Sequence, residues 1–161
     1  MLSTPRLTDD QVAAFSRDGF VVLRSGFDPA DTARIDLWAR EITARPEEHG
    51  AHWVYHERSR LDPAVSLINR IERMSPFHDG FRALARALEA PVAQLMGEPA
   101  VMFKEKINFK MPGGDGFKPH QDSQAGWEDY ADYFISVMVC IDPATIENGC
   151  LQLVAGHQHR G

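Results

Sequence analysis

His120-Gln121-Asp122 is the first place in the chain where residue types and spacing suggest chemistry. In a strand the side-chain period is two, so residues i and i+2 leave the same face. An imidazole and a carboxylate at that spacing can reach one metal ion and fill part of a facial His/carboxylate ligand set. The plainer alternative is a surface histidine and a turn aspartate that never meet. Upstream, Phe103 to Lys110 has period two as well: Lys104, Lys106, Asn108 and Lys110 share one face, while Phe103, Ile107 and Phe109 share the other, interrupted by Glu105. That pattern fits a half-exposed antiparallel strand with solvated lysines. It fits equally a face of ammonium and amide donors turned toward an anionic ligand, for which lysine supplies point charges. Downstream, Gln124 and Trp127 are candidate substrate contacts, with Tyr130 and Tyr133 as neighbouring aromatics. Trp127 with a tyrosine could hold an ammonium group by cation–π attraction, or the rings could simply pack at the edge of the core.

Other histidines and cysteines carry less. His157 and His159 also have ligand spacing, but turn chemistry and a polar tail account for them. His49, His52 and His56 lie among charges and read as solvated loop residues. Cys140 falls in an apolar run and is expected to behave as a small buried hydrophobe. Cys150 has no basic neighbour that would make its thiol reactive.

The elements that must position these groups change character near Pro99. Thr8-Asp9-Asp10-Gln11 is a capping box opening a short helix that Asp18-Gly19 closes. Phe20 to Leu23 reads as a buried strand. Asp28-Pro29 opens a second helix, with Ile35, Trp38 and Ile42 on one side, that stops before Pro46. Residues 46–64 read as a long irregular loop. Phe77, Phe81, Leu84, Leu88 and Leu95 mark a third helix ending at Gly97. Strands are expected over Val101 to Lys110, Phe117 to Asp122, Tyr133 to Ile141 and Cys150 to Val154. Tyr133 to Ile141 is nearly continuous in apolar residues, as in a strand covered on both faces. Turns fall at 111–116 and at Glu147-Asn148-Gly149. Helices first and strands later make an α+β arrangement: one domain over 1–161, mainly helical through 98, with the first core strands from 99.

Composition narrows the class. The chain has 161 residues, 43% hydrophobic and 25% charged, with 17 Lys and Arg against 23 Asp and Glu and a net charge of −6. Such a chain is globular, and it lacks the basic surplus a general nucleic-acid binder needs. No apolar run approaches the ~18–20 residues of a membrane span, and the opening residues hold no apolar stretch suited to a signal peptide. Two cysteines are too few for a disulfide scaffold, so a reducing, cytoplasmic setting is expected.

In this order the pieces resemble the phytanoyl-CoA dioxygenase family of Fe(II)- and 2-oxoglutarate-dependent oxygenases. The likeness is carried by Leu7-Thr8 through Asp18-Gly19-Phe20-Val21-Val22-Leu23, by Lys106-Ile107-Asn108-Phe109-Lys110, by His120-Gln121-Asp122, and by Glu147-Asn148-Gly149-Cys150-Leu151 with Ala155-Gly156-His157. The resemblance implies a double-stranded β-helix, a jelly-roll relative, flanked by N-terminal helices and incomplete in this chain. It implies that His120 and Asp122 ligate Fe(II), and that Lys106, Asn108 and Met138 line the 2-oxoglutarate pocket. It also implies a second metal histidine and a carboxylate-pairing arginine downstream of the Asn-Gly-Cys segment, beyond Gly161, as though the chain were truncated at its C-terminus.

The expected activity is hydroxylation of a small organic substrate with O₂, giving succinate and CO₂ as co-products. The lysines and Trp127 favour a small polar or anionic substrate, and bacterial members that oxidise aminophosphonates look similar around the Lys-Ile-Asn-Phe-Lys and His-Gln-Asp segments. Two other readings stand beside this one. The first is a non-catalytic anion-binding remnant of the fold, because the distal histidine and arginine are absent. The second is a metal-dependent isomerase or lyase on a similar barrel, distinguished by whether 2-oxoglutarate is consumed.

Overall fold

The computed structural model describes residues 2–158, apart from the side chains of Ser123 and Gln124. Three helices and one three-stranded antiparallel sheet follow in the order α1 (Asp9–Asp18), α2 (Pro29–Thr43), β1 (Trp53–Arg58), β2 (Ser66–Glu72), α3 (Asp79–Met96) and β3 (Lys106–Asn108). Each helix begins and ends where local chemistry requires. At α1, Thr8 Oγ1 accepts from the Gln11 amide, and the Gln11 side chain accepts from the Thr8 amide at 2.9 Å, the reciprocal capping box. Gly19, at φ 83°, supplies the left-handed terminus. Asp28 caps α2 through the Asp31 amide, with Pro29 at its first turn. His78 caps α3, its Nδ1 accepting from the Gly80 amide at 3.1 Å, and Gly97 ends it.

The core lies between α2, α3 and the inner face of the sheet. Ile35 and Ile42 from α2, Phe81 and Leu84 from α3, Ile71 from β2 and Met74 just beyond it form one buried cluster, with Val54, Ile107 and Phe109 packed against it. Trp38 joins from α2 as its spacing predicts. Its ring lies so close to Gly80 that a Cβ there would meet Trp38 Cδ2 at 2.3 Å. Glycine at 80 is thus what allows the start of α3 to approach α2. The N-terminal strap is tied to the same helix: the amide and hydroxyl of Ser3 both donate to Asp31 Oδ2, at 2.8 and 2.7 Å, and Arg34 pairs with Oδ1. These hydrogen bonds, with the Arg34 charge beside them, hold the Asp31 carboxyl below the ordinary carboxylate range.

Several expectations about strands are corrected. Residues 46–64 are not a continuous loop, because Trp53–Arg58 forms β1, pairing antiparallel with β2; this hairpin precedes α3, so helices do not all come first. His52 is buried, not solvated; His56 is exposed as expected but stands in a strand instead of a loop. Phe20 to Leu23, Phe117 to Asp122, Tyr133 to Ile141 and Cys150 to Val154 are not strands, and only Lys106–Asn108 of the Val101 to Lys110 run is one. A strand is a pairwise object: its amides and carbonyls need a ladder partner, and apolar alternation alone does not supply one. Among the described residues no strand pairs with 133–141, so Tyr133, Val137 and Met138 are exposed there instead of covered on both faces, and Cys140 is exposed instead of buried. The double-stranded β-helix expected from the resemblance is represented by this three-stranded antiparallel sheet in a small α+β body.

Two outcomes follow. Gly80→Ala should lower the stability to urea unfolding by about 1–3 kcal/mol, the usual cost of overpacking a filled contact. For Asp31, a carboxyl held low in the folded state stabilises at pH values above its unfolded value, and that contribution is lost as pH falls through the folded value. The stability gap between the wild type and Asp31→Ala should therefore be widest near neutrality and close under acid, read as urea midpoints across pH.

Candidate metal centre and the polar sheet face

The sheet has two chemically different faces because its register is strict. Ile71 is paired with Val54 on one side and Ile107 on the other, and this row faces the core. The adjacent rows face outward: Tyr55, Arg70 and Asn108 in one, Trp53, Glu72 and Lys106 in the next. A bulge between Tyr55 and His56 leaves Asn69 unmatched on β2, and its carbonyl accepts from the Phe109 amide at 2.8 Å, carrying the β2–β3 contact one residue past the ladder. Glu105, which interrupts the apolar face in the sequence, turns inward to accept from the Ser75 amide at 2.7 Å and ties β3 to the approach of α3.

The alternation predicted for Lys104, Lys106, Asn108 and Lys110 is present: all four are exposed, and Glu105, Ile107 and Phe109 are partly covered. Their partners differ. Lys104 Nζ lies 5.1 Å from the Trp127 ring centroid, and Lys110 Nζ donates to the Gly149 carbonyl. Lys106 pairs in register with Glu72, and Asn108 with Arg70. Trp127 thus already has a cation over its face, supplied by the protein. Its other neighbours are rings: Phe103, Trp127 and Phe134 lie with centroids 5.0–5.7 Å apart, and Tyr130 leans on Phe103 at 5.3 Å.

His120 and Asp122 are brought together by a turn, not by a strand as expected; Asp122 opens the short 3₁₀ turn Asp122–Ala125. His120 Nε2 lies 3.6 Å from Asp122 Oδ1. His120 Nδ1 is 2.6 Å from the Lys118 carbonyl, which can only accept, so Nδ1 carries a proton and Nε2 is the nitrogen whose lone pair a metal ion would take. The Ser136 hydroxyl donates to Asp122 Oδ2, leaving Oδ1 toward the imidazole. Donor atoms each about 2.1 Å from one ion stand roughly 3 Å apart when cis on an octahedron, so the pair fits two ligand positions after a small adjustment. Both side chains are about half exposed. Among the described residues no third His, Cys, Asp or Glu completes a cluster.

Met138 lies exposed on the 133–141 segment, while its neighbours Val139 and Ile141 pack on the core. The Gln124 side chain and His159 lie outside the described residues. His157 is exposed and joins neither group. The Glu147-Asn148-Gly149 turn is present, with Asn148 Oδ1 accepting from the Thr145 amide at 2.8 Å and Gly149 at φ 81°, and Lys110 docks it beside β3. A surface concavity at the start of α2, between Ser3, Phe27, Asp28 and Asp36, shares no residue with either group and offers no cation. Ser136 and Arg70 carry no signal in the sequence: one is a lone serine in an apolar run, the other an arginine in a stretch for which no element is expected.

The phytanoyl-CoA dioxygenase (PhyH) family model matches residues 15–161. The chain is 37% identical over 151 residues to a 2-aminoethylphosphonate dioxygenase of an uncultured bacterium, covering 92% of this chain and 57% of that protein. It is 36% identical over 157 residues to a methylphosphonate hydroxylase of Gimesia maris, covering 96% and 58%. It is also 24% identical over 163 residues to a probable alpha-ketoglutarate-dependent hypophosphite dioxygenase of Stutzerimonas stutzeri, covering 94% and 54%. The chain therefore spans little more than half the length of these relatives. No solved structure matches it significantly.

Ser136→Ala removes the hydroxyl that orients Asp122. Losing such an outer partner typically costs about 10–100-fold in metal affinity, and competition against a ferrous chelator should show a loss in that range with unfolding unchanged.

Proposed function

The chain belongs to the phytanoyl-CoA dioxygenase family, and from that premise we propose that the whole protein is an Fe(II)- and 2-oxoglutarate-dependent oxygenase that hydroxylates a small anionic substrate, a phosphonate first among the candidates. The observation that carries the reading is the wiring of His120: its Nδ1–H donates to the Lys118 carbonyl and its Nε2 lies 3.6 Å from Asp122 Oδ1, so the nitrogen left to take a metal ion stands beside a carboxylate oxygen. A ferrous ion held by that pair would supply the centre at which O₂ and 2-oxoglutarate are turned into succinate, CO₂ and a hydroxylated product.

The protein's own groups have separable tasks in this reading. His120 and Asp122 hold the ion, and Ser136 keeps the carboxylate from rotating. Lys106 and Asn108, exposed on the polar face of β3, offer a charge and an amide to the cosubstrate's carboxylate. Met138 lines the same pocket. Trp127, braced by Phe103 and Phe134 and covered by Lys104, serves as a rigid wall for the substrate, with Gln124 as a polar contact. An ammonium cage at Trp127 is not part of the reading, because Lys104 already occupies that face. Phosphonate substrates are favoured because two relatives more than a third identical are named for them, and because a row of lysines suits a small oxyanion. Among the described residues no helix is long and apolar enough to cross a membrane.

The test is succinate release by the full-length protein supplied with Fe(II), ascorbate, 2-oxoglutarate and a panel of alkyl- and aminoalkylphosphonates. Phosphonate-stimulated succinate is expected, and His120→Ala should remove it while leaving the fold intact. Turnover that survives His120→Ala would falsify the assignment. Binding of anions with no consumption of 2-oxoglutarate would favour the non-catalytic reading instead.

A further inference from the structure

Arg70 lies on β2, directly across the ladder from Asn108 on β3 and Tyr55 on β1. Because Ile71 beside it is fully buried, Arg70 must leave the opposite, outward face. Its guanidinium is stacked over the Tyr55 ring, 4.4 Å from the centroid. Its Nε is 3.0 Å from Glu72 Oε1. The guanidinium is thus stacked on an aromatic face and ion-paired at one side, although Nε makes no aligned hydrogen bond to that carboxylate. Among the described residues none accepts a hydrogen bond from its Nη atoms, which leaves that edge of the fork available to a planar or tetrahedral oxyanion. Directly opposed residues in an antiparallel pair bring their Cβ atoms within about 5 Å. Any small anion held over Lys106 and Asn108 is therefore within reach of Arg70.

We propose that Arg70, presented by Tyr55 and Glu72, is an oxyanion-binding residue of the polar sheet face, where it holds a carboxylate or phosphonate group together with Lys106 and Asn108. Which molecule brings the anion rests on the oxygenase reading above: it is the cosubstrate's carboxylate or the substrate's phosphonate. Glu72 opposes the anion by charge, but it is engaged at Nε and flanked in register by Lys106. The three side chains Arg70, Glu72 and Lys106 together leave one positive charge on this patch.

Two measurements decide it. In the full-length enzyme, Arg70→Gln should raise one KM by about 10–100-fold, the range for a lost hydrogen bond to a charged group, with a far smaller change in kcat; Arg70→Lys should recover part of the loss. A rise confined to the KM for 2-oxoglutarate identifies the cosubstrate as the source, and a rise confined to the phosphonate identifies the substrate. In metal-free protein, 2-oxoglutarate and methylphosphonate are titrated separately while the Asn108 side-chain amide is followed by NMR. At least one should shift that signal, with an affinity weakened about 10-fold or more by Arg70→Gln. If the wild type turns over but neither KM nor either titration responds to Arg70→Gln, the inference is overturned and the oxygenase reading stands. If no substrate turns over, the titration alone decides: weakening by Arg70→Gln supports the site, and equal or absent binding refutes it. Should Arg70→Gln fail to fold, Arg70→Lys keeps the charge but not the fork and is read the same way.

Discussion

Ile71 sits at the centre of the molecule, fully buried on the middle strand between the hairpin partner Val54 and the short strand residue Ile107. Burying such a side chain yields about 1.5–3 kcal/mol, and its position has a geometric consequence that reaches further than its energy. A one-residue slip of β2 would turn Ile71 outward and drive Arg70 or Glu72 into the cluster of Ile42, Met74 and Phe81. The penalty for burying those charges fixes the register. With the register fixed, Arg70, Glu72, Lys106 and Asn108 have no choice but to share the outer face. The apolar core thus decides where the polar chemistry is displayed.

The metal pair depends on a different kind of constraint. His120 and Asp122 are not held by a ladder; they are held by short-range hydrogen bonds to Lys118 and Ser136 in a turn-rich segment. The spacing i and i+2 still brings them together, because a tight turn folds neighbouring side chains over one another much as a pleat aligns them. What the local bonds add is chemical definition. A carbonyl acceptor at Nδ1 selects the tautomer, and a hydroxyl on one carboxylate oxygen selects which oxygen faces the imidazole. Those two selections are what would suit the pair to act as ligands in the proposed reading.

The helices were legible in the sequence because their signals are local. Thr8 with Gln11, Asp28 with Pro29, and Gly97 are caps whose chemistry is complete within one turn. The His-X-Asp pair and the lysine alternation were legible for the same reason. The hairpin Trp53–Arg58 with Ser66–Glu72 was not, since its residues include His56, Glu57, Arg58 and Arg70 and its pairing is interrupted by a bulge at Asn69. Arg70 was invisible as a site residue because its meaning comes from Asn108, thirty-eight positions away and joined to it only by the ladder. Tyr133 to Ile141 shows the converse: an apolar run has the pattern of a covered strand although nothing among the described residues pairs with it.

The polar face also shows why a cluster of like charges does not undermine so small a sheet. Four lysine and arginine side chains, Lys104, Lys106, Lys110 and Arg70, emerge from β2, from β3 and from the residues flanking β3, and like charges directly opposed across a ladder are destabilising. The structure separates them by register and by partner. Lys106 is set against Glu72, Arg70 is laid flat on Tyr55, Lys104 is swung over Trp127, and Lys110 is drawn to the Gly149 carbonyl. Two of the four cations are thus engaged with Trp127 and Gly149, tying those segments to the residues on either side of β3. The remaining two, Lys106 and Arg70, stay on the open face beside Asn108. Charge here is therefore divided between cations engaged with neighbouring segments and cations left on the open face, and the division follows from where each residue lies relative to the ladder.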